Sequence, residues 1–87
     1  MNNDIKSLEG IFRALGNRRR LQIFRYIRNK KRACVGEIAE HIDLSLPAIS
    51  RHLVIMEKAD VLDKKQESTT VYYFLSPYSH KNLSNLI

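Results

Sequence analysis

The spacing of apolar residues predicts four helices in the first two thirds of the chain. In each, apolar side chains recur every three or four positions, as on one face of an α-helix. The four segments are residues 4–15, 18–29, 36–42 and 46–58. Gly16 is placed to end the first helix, while Asn17 and Ser45 are typical N-caps for the second and the fourth. Pro47 is tolerated in the first turn, where its missing N–H has no intrahelical acceptor.

The helical periodicity also predicts which side chains are buried. In the second helix we expect an apolar stripe of Leu21, Phe24 and Ile27 with Ile23 beside it. In the fourth we expect a stripe of Ile49, Leu53 and Met56. The side of the second helix away from its stripe is strongly cationic.

Beyond Ala59 the apolar period shortens from about 3.6 to 2 residues, which is the period of a β-strand. β-branched and aromatic residues on both sides of the polar Glu67, Ser68 and Thr69 predict an antiparallel hairpin over about 61–75. A small strand is expected near residues 33–35 and a short helix within 78–87.

The predicted fold class is mainly α with a small β-hairpin (α+β), which is a winged helix-turn-helix in one domain, 1–87. Its helix-turn-helix covers about 36–58, and the hairpin is the wing.

Charge and composition narrow the function. The 87 residues include 15 Lys or Arg against 9 Asp or Glu, a formal charge of +6 that favours a polyanionic partner such as nucleic acid, although a merely basic domain is the alternative. Cys34 is the single cysteine, the first residues lack the pattern of a secretion signal, and no apolar run is long enough to span a bilayer. We therefore expect a cytoplasmic protein without membrane contact. Isolated glycines and the lack of a nucleophile or metal-pair motif argue against an enzyme or a bound cofactor.

The second helix of a helix-turn-helix enters the DNA major groove. A rotation of about 100° per residue places Ser50, Arg51 and Val54 opposite the buried stripe. Arg51 can bond guanine with two N–H groups, Ser50 can bond a base or phosphate, and Val54 can touch a thymine methyl group. A solvated helix surface is the alternative for each of them. His52 is expected to pack or hydrogen-bond within the domain.

These considerations give double-stranded DNA as the predicted partner of a sequence-specific transcriptional regulator. The residues expected to contact the DNA backbone are Ser45, Lys58, Lys64, Lys65, Gln66, Ser68, Thr69 and Thr70. A homodimer is predicted through the apolar residues Ile5, Leu8, Phe12, Leu83, Leu86 and Ile87. The alternative is a winged-helix module whose basic surface binds an acidic protein.

Four segments of the chain resemble the ArsR/SmtB family, and the resemblance spans about residues 8 to 76. They are Ala14-Leu15-Gly16-Asn17 through Arg20-Leu21, Val35-Gly36-Glu37-Ile38-Ala39, Leu44-Ser45-Leu46-Pro47-Ala48-Ile49-Ser50-Arg51-His52-Leu53, and Val71-Tyr72-Tyr73. The resemblance implies a dimeric winged-helix repressor that leaves DNA when a metal or another inducer binds. Its base-contacting positions correspond to Leu46, Pro47, Ser50 and Arg51 of this chain.

The chain departs from the family pattern at three places. Leu46 stands where the family often has Gln, and Ala59-Asp60-Val61 replaces Ala-Gly-Leu, so that Asp60 is expected in the left-handed conformation. Cys34-Val35-Gly36 replaces the Cys-Val-Cys of a metal site, leaving one thiolate. The C-terminal metal site of the family needs acidic and His ligands, and residues 78–87 offer only His80. We therefore expect no metal site, a structural role for Cys34, and surface positions for His41 and His80.

Overall fold

The computed structural model describes residues 4–87, which form five helices and three strands in the predicted order. They are α1 (Ile5–Leu15), α2 (Arg18–Lys30), β1 (Ala33–Cys34), α3 (Val35–Ile42), α4 (Leu46–Lys58), β2 (Leu62–Glu67), β3 (Thr70–Leu75) and α5 (Pro77–Asn82). Met1 to Asn3, which belong to the predicted domain, lie outside the described residues. Over the described part of the chain, no helix has the length and apolar character needed to cross a membrane.

Polar side chains cap the helices that were predicted to have N-caps. The Asn17 side-chain oxygen accepts a hydrogen bond from the Arg20 N–H at 3.1 Å, and Ser45 Oγ accepts one from the Ala48 N–H at 3.3 Å. Each bond satisfies an amide of the first turn that has no acceptor within its own helix. The N-caps predicted at Asn17 and Ser45 are therefore confirmed, and Pro47 lies in the first turn of α4 as expected.

The apolar sides of the helices and of the sheet meet in one buried cluster. Its members are Ile11, Ala14, Leu15, Ile23, Phe24, Ile27, Ala33, Ile38, Ala39, Ile42, Ile49, Leu53, Met56, Val61, Leu62, Tyr73 and Leu83. The stripe predicted for α4 is confirmed, because all three of its residues are fully buried. The prediction for Leu21 is wrong, since this side chain is 38% exposed. Leu21 lies about 120° around α2 from the buried Ile27, at the edge of the stripe, and Ile23 takes its place in the core.

The three strands form one antiparallel sheet in the order β1-β3-β2. The short strand expected after α2 is present, and it adds a third strand to the predicted hairpin: Ala33 pairs with Tyr73 and Cys34 with Tyr72. Ala33 and Tyr73 are both buried, on the face of the sheet that packs against the helices. The base of the hairpin is thus attached to the helical body.

A two-residue turn closes the hairpin of β2 and β3. Glu67 and Thr70 are the last paired residues, which leaves Ser68 and Thr69 as the turn. Ser68 has φ of 59°, in the left-handed region. Glu67, predicted to belong to the turn, is instead the last residue of β2 because its backbone pairs with that of Thr70.

Two buried serines hold the junction between α4 and the wing. Asp60 has φ of 63°, which confirms the left-handed conformation expected there. The Ser76 hydroxyl donates to the Asp60 carbonyl at 2.8 Å, and the Ser79 hydroxyl donates to the Val61 carbonyl at 2.7 Å. Both serines are fully buried, so the carbonyls at this bend are paired away from water.

The last residues fold back onto α2. The predicted dimer interface includes Leu83, Leu86 and Ile87 on one side of the last helix, but Leu83 is 5% exposed and belongs to the core, Leu86 is 72% exposed, and Ile87 packs partly buried against the core. They differ because α5 ends at Asn82 and the helical spacing assumed for this segment stops there. Arg25 donates to the Ile87 carbonyl at 3.0 Å, which holds the end of the chain against α2.

Candidate nucleic-acid interface

α3 and α4 form a helix-turn-helix with a three-residue connection. Asp43 adopts φ of 63°, and its N–H donates to the Ala39 carbonyl at 2.9 Å, which closes α3. Leu44 packs against the core, and Ser45 caps the next helix. The turn thus fixes α4 at an angle to α3 that leaves one long side of α4 in solvent, as in recognition helices.

The outer side of α4 carries the residues predicted to read bases. Pro47, Ser50 and Arg51 are exposed, Val54 is 44% exposed, and Leu46, which lies nearer the buried side, is 55% exposed. Among the described residues, no hydrogen bond or ion pair engages the Arg51 guanidinium. All its donors are therefore available to a ligand.

One flank of this surface is formed by the first turn of α2. Arg20 donates from a terminal guanidinium nitrogen to His52 Nδ1 at 3.3 Å, so His52 is hydrogen-bonded within the domain as predicted. Burial lowers the pKa of His52, and the positive charges of Arg20, Arg51 and Arg19 lower it further. Three arginines therefore lie close enough to His52, near the middle of α4, to act on its charge.

The other flank is formed by the wing. Lys64 lies on the face of β2 that turns toward α4, and its ammonium group makes an ion pair with Glu57 of α4 at 3.3 Å. Both side chains are partly exposed, so the pair is open to water and to competing anions. The recognition helix therefore has cationic groups on both sides.

Lys65 lies on the opposite face of the wing, because neighbouring residues of a strand point in opposite directions. Its ammonium group is 4.0 Å from Glu67, which also pairs with Arg32 at 2.9 Å. The Arg32 guanidinium stacks over the Tyr72 ring at 4.0 Å. Lys64 and Lys65, predicted together as backbone contacts, thus occupy different environments.

The tip of the wing carries the remaining predicted backbone contacts. Gln66, Ser68 and Thr69 are exposed, and Thr70 is partly exposed. The Gln66 amide donates to the Ser68 carbonyl at 3.2 Å, which stiffens the turn. Ser45 and Lys58, the backbone contacts predicted at the two ends of α4, are exposed as well.

Arg19 and Arg20 are site residues that sequence reasoning did not assign. The cationic face predicted for the second helix includes Arg18 and Arg19, whereas Arg20 is given no role by that prediction. The place of Arg19 and Arg20 beside α4 depends on how α2 packs against a helix about thirty residues later, which the local pattern does not contain. Arg19 is exposed, and its guanidinium donates to the Gln22 side-chain oxygen at 3.3 Å, so it adds a cation at this flank.

The residues considered for metal sensing lie apart from one another. Cys34 is half-buried at the N-cap of α3, where its N–H donates to Glu37 at 2.9 Å. His41 is exposed and stacks on Tyr26, and His80 is exposed, so the predicted surface positions of both histidines are confirmed. Within residues 4–87 no three His, Cys, Asp or Glu side chains group closely enough to hold a metal ion.

Comparison with known proteins identifies the family. The sequence profile described as "Bacterial regulatory protein, arsR family" matches residues 17–64, more than half of the chain. The cadmium resistance transcriptional regulatory protein CadC of Listeria innocua is 34% identical over 98% of this chain and 71% of its own length. The transcriptional repressor SdpR of Bacillus subtilis is 30% identical over 79% of this chain and 76% of its own length.

Solved structures confirm the winged helix-turn-helix fold. HlyU from Vibrio cholerae superposes with a TM-score of 0.86 at 29% identity, covering 99% of this chain and 92% of HlyU. A domain of Mb0332 from Mycobacterium bovis, described as a homodimeric winged helix-turn-helix DNA-binding domain, has a TM-score of 0.86 at 24% identity, covering 94% and 75% of the two chains. With its helix-turn-helix, its wing and these relatives, the chain belongs to the ArsR family of bacterial DNA-binding transcriptional regulators.

Proposed function

We propose that the protein regulates transcription as a homodimer that reads two half-sites on double-stranded DNA, with α4 in the major groove and the wing on the backbone. The observation that carries this proposal is the Arg51 guanidinium at the centre of the exposed side of α4, which no other residue among 4–87 engages, with cationic groups on both flanks. A helix fits the width of the major groove, and flanking cations then lie near the phosphates on either side. This assignment places the protein with the chromosome, in the cytoplasm.

In the proposed complex, Arg51 makes the main base contact. Its two terminal nitrogens suit the O6 and N7 acceptors of a guanine. Pro47 and Leu46 approach the bases from the start of the helix, and Ser50 and Val54 contact the neighbouring pairs. Pro47, Ser50, Arg51 and Val54 are exposed on one side of α4, and Leu46 is exposed at its start.

The phosphate contacts fall into two groups. Ser45, Lys58 and Lys64 surround α4, while Gln66, Ser68, Thr69 and Thr70 belong to the distal half of the wing. Lys65 also contributes charge, but from the far face of β2. Contacts of this kind hold the protein in register without reading sequence.

The proposed dimer uses the apolar side of α1. Ile5 is 81% exposed and Phe12 58% exposed, with Leu8 half-buried between them; away from α1, Leu86 is a further exposed apolar side chain at the end of the chain, which packs against α2. Large apolar side chains aligned on one helix favour contact with a second apolar surface. Two copies related by a two-fold axis would present two α4 helices to half-sites about one helical turn apart.

We propose repression as the usual outcome, because a dimer over two adjacent half-sites covers DNA that a polymerase needs. The related proteins include regulators of both kinds. SdpR is a transcriptional repressor, whereas HlyU of Vibrio cholerae, which is 31% identical over 88% of this chain, is a transcriptional activator. A protein-interaction module for an acidic partner, the alternative considered from charge alone, is not favoured by the family.

Selection from random-sequence duplexes, followed by titration of the selected duplex at several salt concentrations, tests the proposal. We expect enrichment of a two-fold symmetric sequence and a linear fall of log K with log salt. Equal binding to every duplex at every round of selection would contradict sequence-specific regulation. A scrambled duplex of the same length and composition is the control.

A further inference from the structure

We infer that Arg20 is a positioning residue for DNA sequence recognition, acting through His52 to hold the recognition helix at a fixed rotation relative to α1 and α2. This inference rests on the proposed function. Arg20 itself lies on α2 and is not one of the residues expected to contact bases.

The Arg20 guanidinium joins three helices. Its Nε donates to the Ala14 carbonyl near the end of α1, and a terminal nitrogen donates to His52 Nδ1 on α4 at 3.3 Å. The Arg20 backbone N–H is itself held by the Asn17 side chain at 3.1 Å, so the base of the side chain is fixed by the cap of α2. A planar guanidinium with donors in fixed directions transmits this geometry better than a flexible ammonium group.

The bond to His52 adds a directional constraint to the apolar packing that anchors α4. Ile49, Leu53 and Met56 anchor α4 through apolar contacts, which have no directional preference. His52 lies about 100° around the helix from Arg51, so fixing one residue sets the direction of the other. A two-bond contact to a base depends on that direction, whereas a phosphate contact tolerates small rotations.

The protonation state of His52 decides whether the bond exists. A guanidinium only donates, so Nδ1 must carry no proton and the ring must be neutral. The charged groups acting on His52 are Arg20 and Arg19 of α2 and Arg51 of α4; burial and these charges lower its pKa, which keeps the ring neutral at pH 7. The bond is therefore present above the ordinary His pKa and is lost as the pH falls through the lowered value.

Three variants, compared by the ratio of affinities for the selected and the scrambled duplex, test the inference. Arg20→Ala should lower this ratio about tenfold, the scale of one mismatched base pair. Arg19→Ala removes the same charge from the neighbouring position without breaking the bond, so it should weaken both duplexes alike and leave the ratio unchanged. His52→Leu should lower the ratio as Arg20→Ala does while leaving the bond to Ala14 intact, which covers the case that Arg20→Ala fails to fold.

The pH dependence of this affinity ratio distinguishes the proposed role of Arg20 from a purely structural one, which would leave the ratio unchanged with pH. The ratio for the wild-type protein should hold at pH 7 and fall only when the pH is taken below the ordinary His pKa of about 6.5 and through the lowered value, as His52 is protonated. His52→Gln offers Arg20 an acceptor that does not titrate, so its ratio should stay close to the neutral wild-type value over the same range. Two results would overturn this inference while leaving the proposed function intact. One is an affinity ratio that falls equally in Arg19→Ala and Arg20→Ala. The other is a ratio that stays unchanged in both Arg20→Ala and His52→Leu. A wild-type protein without preference for any duplex would overturn the proposed function and this inference with it.

Discussion

At the scale of single residues, the exposed surface of α4 separates base reading from phosphate anchoring. Arg51 is expected to contact a base edge. Replacing Arg51 with Ala should therefore cost about 1–3 kcal/mol on the selected duplex and relax the preference at one base pair per half-site. Competition titrations with duplexes that differ at single positions measure both effects.

The matched comparison for Arg51 is Lys64→Ala. This substitution should lower the affinity for all duplexes by the same factor. It should also reduce the magnitude of the slope of log K against log salt by about one per lost phosphate contact, or about two for a symmetric dimer. An Arg51→Ala variant that binds every duplex like the wild type would show that α4 does not read bases.

Glu57 is an internal competitor for the phosphate that Lys64 would bind, because the two side chains already form an ion pair at 3.3 Å. Removing the carboxylate charge in Glu57→Gln should release Lys64 and raise the affinity for all duplexes about twofold to fivefold, the range of an exposed ion pair. Fluorescence anisotropy with selected and scrambled duplexes measures the gain. Adding Lys64→Ala to the Glu57→Gln protein should abolish this gain in affinity. A gain that persists in the double variant would show that it does not come from releasing Lys64.

Cys34 offers a soft metal one thiolate, and within the described residues no three His, Cys, Asp or Glu side chains group closely enough to hold a metal ion. Zinc, cadmium and arsenite are therefore expected to change DNA affinity by less than about tenfold, within the lower range of allosteric couplings. Titration of each metal during a DNA-binding assay checks this expectation. Stoichiometric binding accompanied by a larger loss of affinity would contradict it.

At the scale of secondary-structure elements, α5 stabilises the bend between α4 and the wing. The buried Ser79 hydroxyl is bonded to the Val61 carbonyl at 2.7 Å. Ser79→Ala leaves that carbonyl without its partner and should lower the free energy of unfolding by about 1–3 kcal/mol. Urea denaturation followed by circular dichroism measures the change.

Ser84→Ala is the control for Ser79→Ala. The Ser84 hydroxyl donates to the His80 carbonyl at 2.6 Å. This bond is exposed, so water can hydrogen-bond to the carbonyl when the hydroxyl is removed. The expected change is below about 0.5 kcal/mol. Equal effects of the two substitutions would mean that the bend does not depend on the buried bond.

At the scale of the whole molecule, we expect a dimer in solution because α1 exposes an apolar surface. Phe12→Lys places a charge in that surface and should shift the protein toward a monomer of about 10 kDa, since burying an unpaired charge is costly. Leu46→Lys is the matched control, because Leu46 is 55% exposed and Phe12 58%, but Leu46 lies on α4. Sedimentation velocity at micromolar concentration separates the two states. A wild-type monomer with and without DNA would remove the two-half-site arrangement.

The features that sequence predicted are those determined by neighbouring residues. The cap at Asn17, the buried stripe of α4 and the left-handed Asp60 each follow from a few adjacent positions. The bonds from Arg20 to His52 and from Glu57 to Lys64 are different, because they depend on how elements distant in the chain pack together. The burial of Leu83 depends in the same way on where α5 ends.

The closed register of the wing restricts how its length can change during evolution. β2 and β3 pair without interruption up to the turn at Ser68 and Thr69, and alternate residues of β2 face α4. Inserting one residue between Leu62 and Lys64 would exchange the faces of Lys64 and Lys65, so that the ion pair with Glu57 would be lost. Inserting two residues, matched by two in β3, would lengthen the wing and keep each side chain on its face. Viable wings in related proteins should therefore differ in strand length by even numbers of residues.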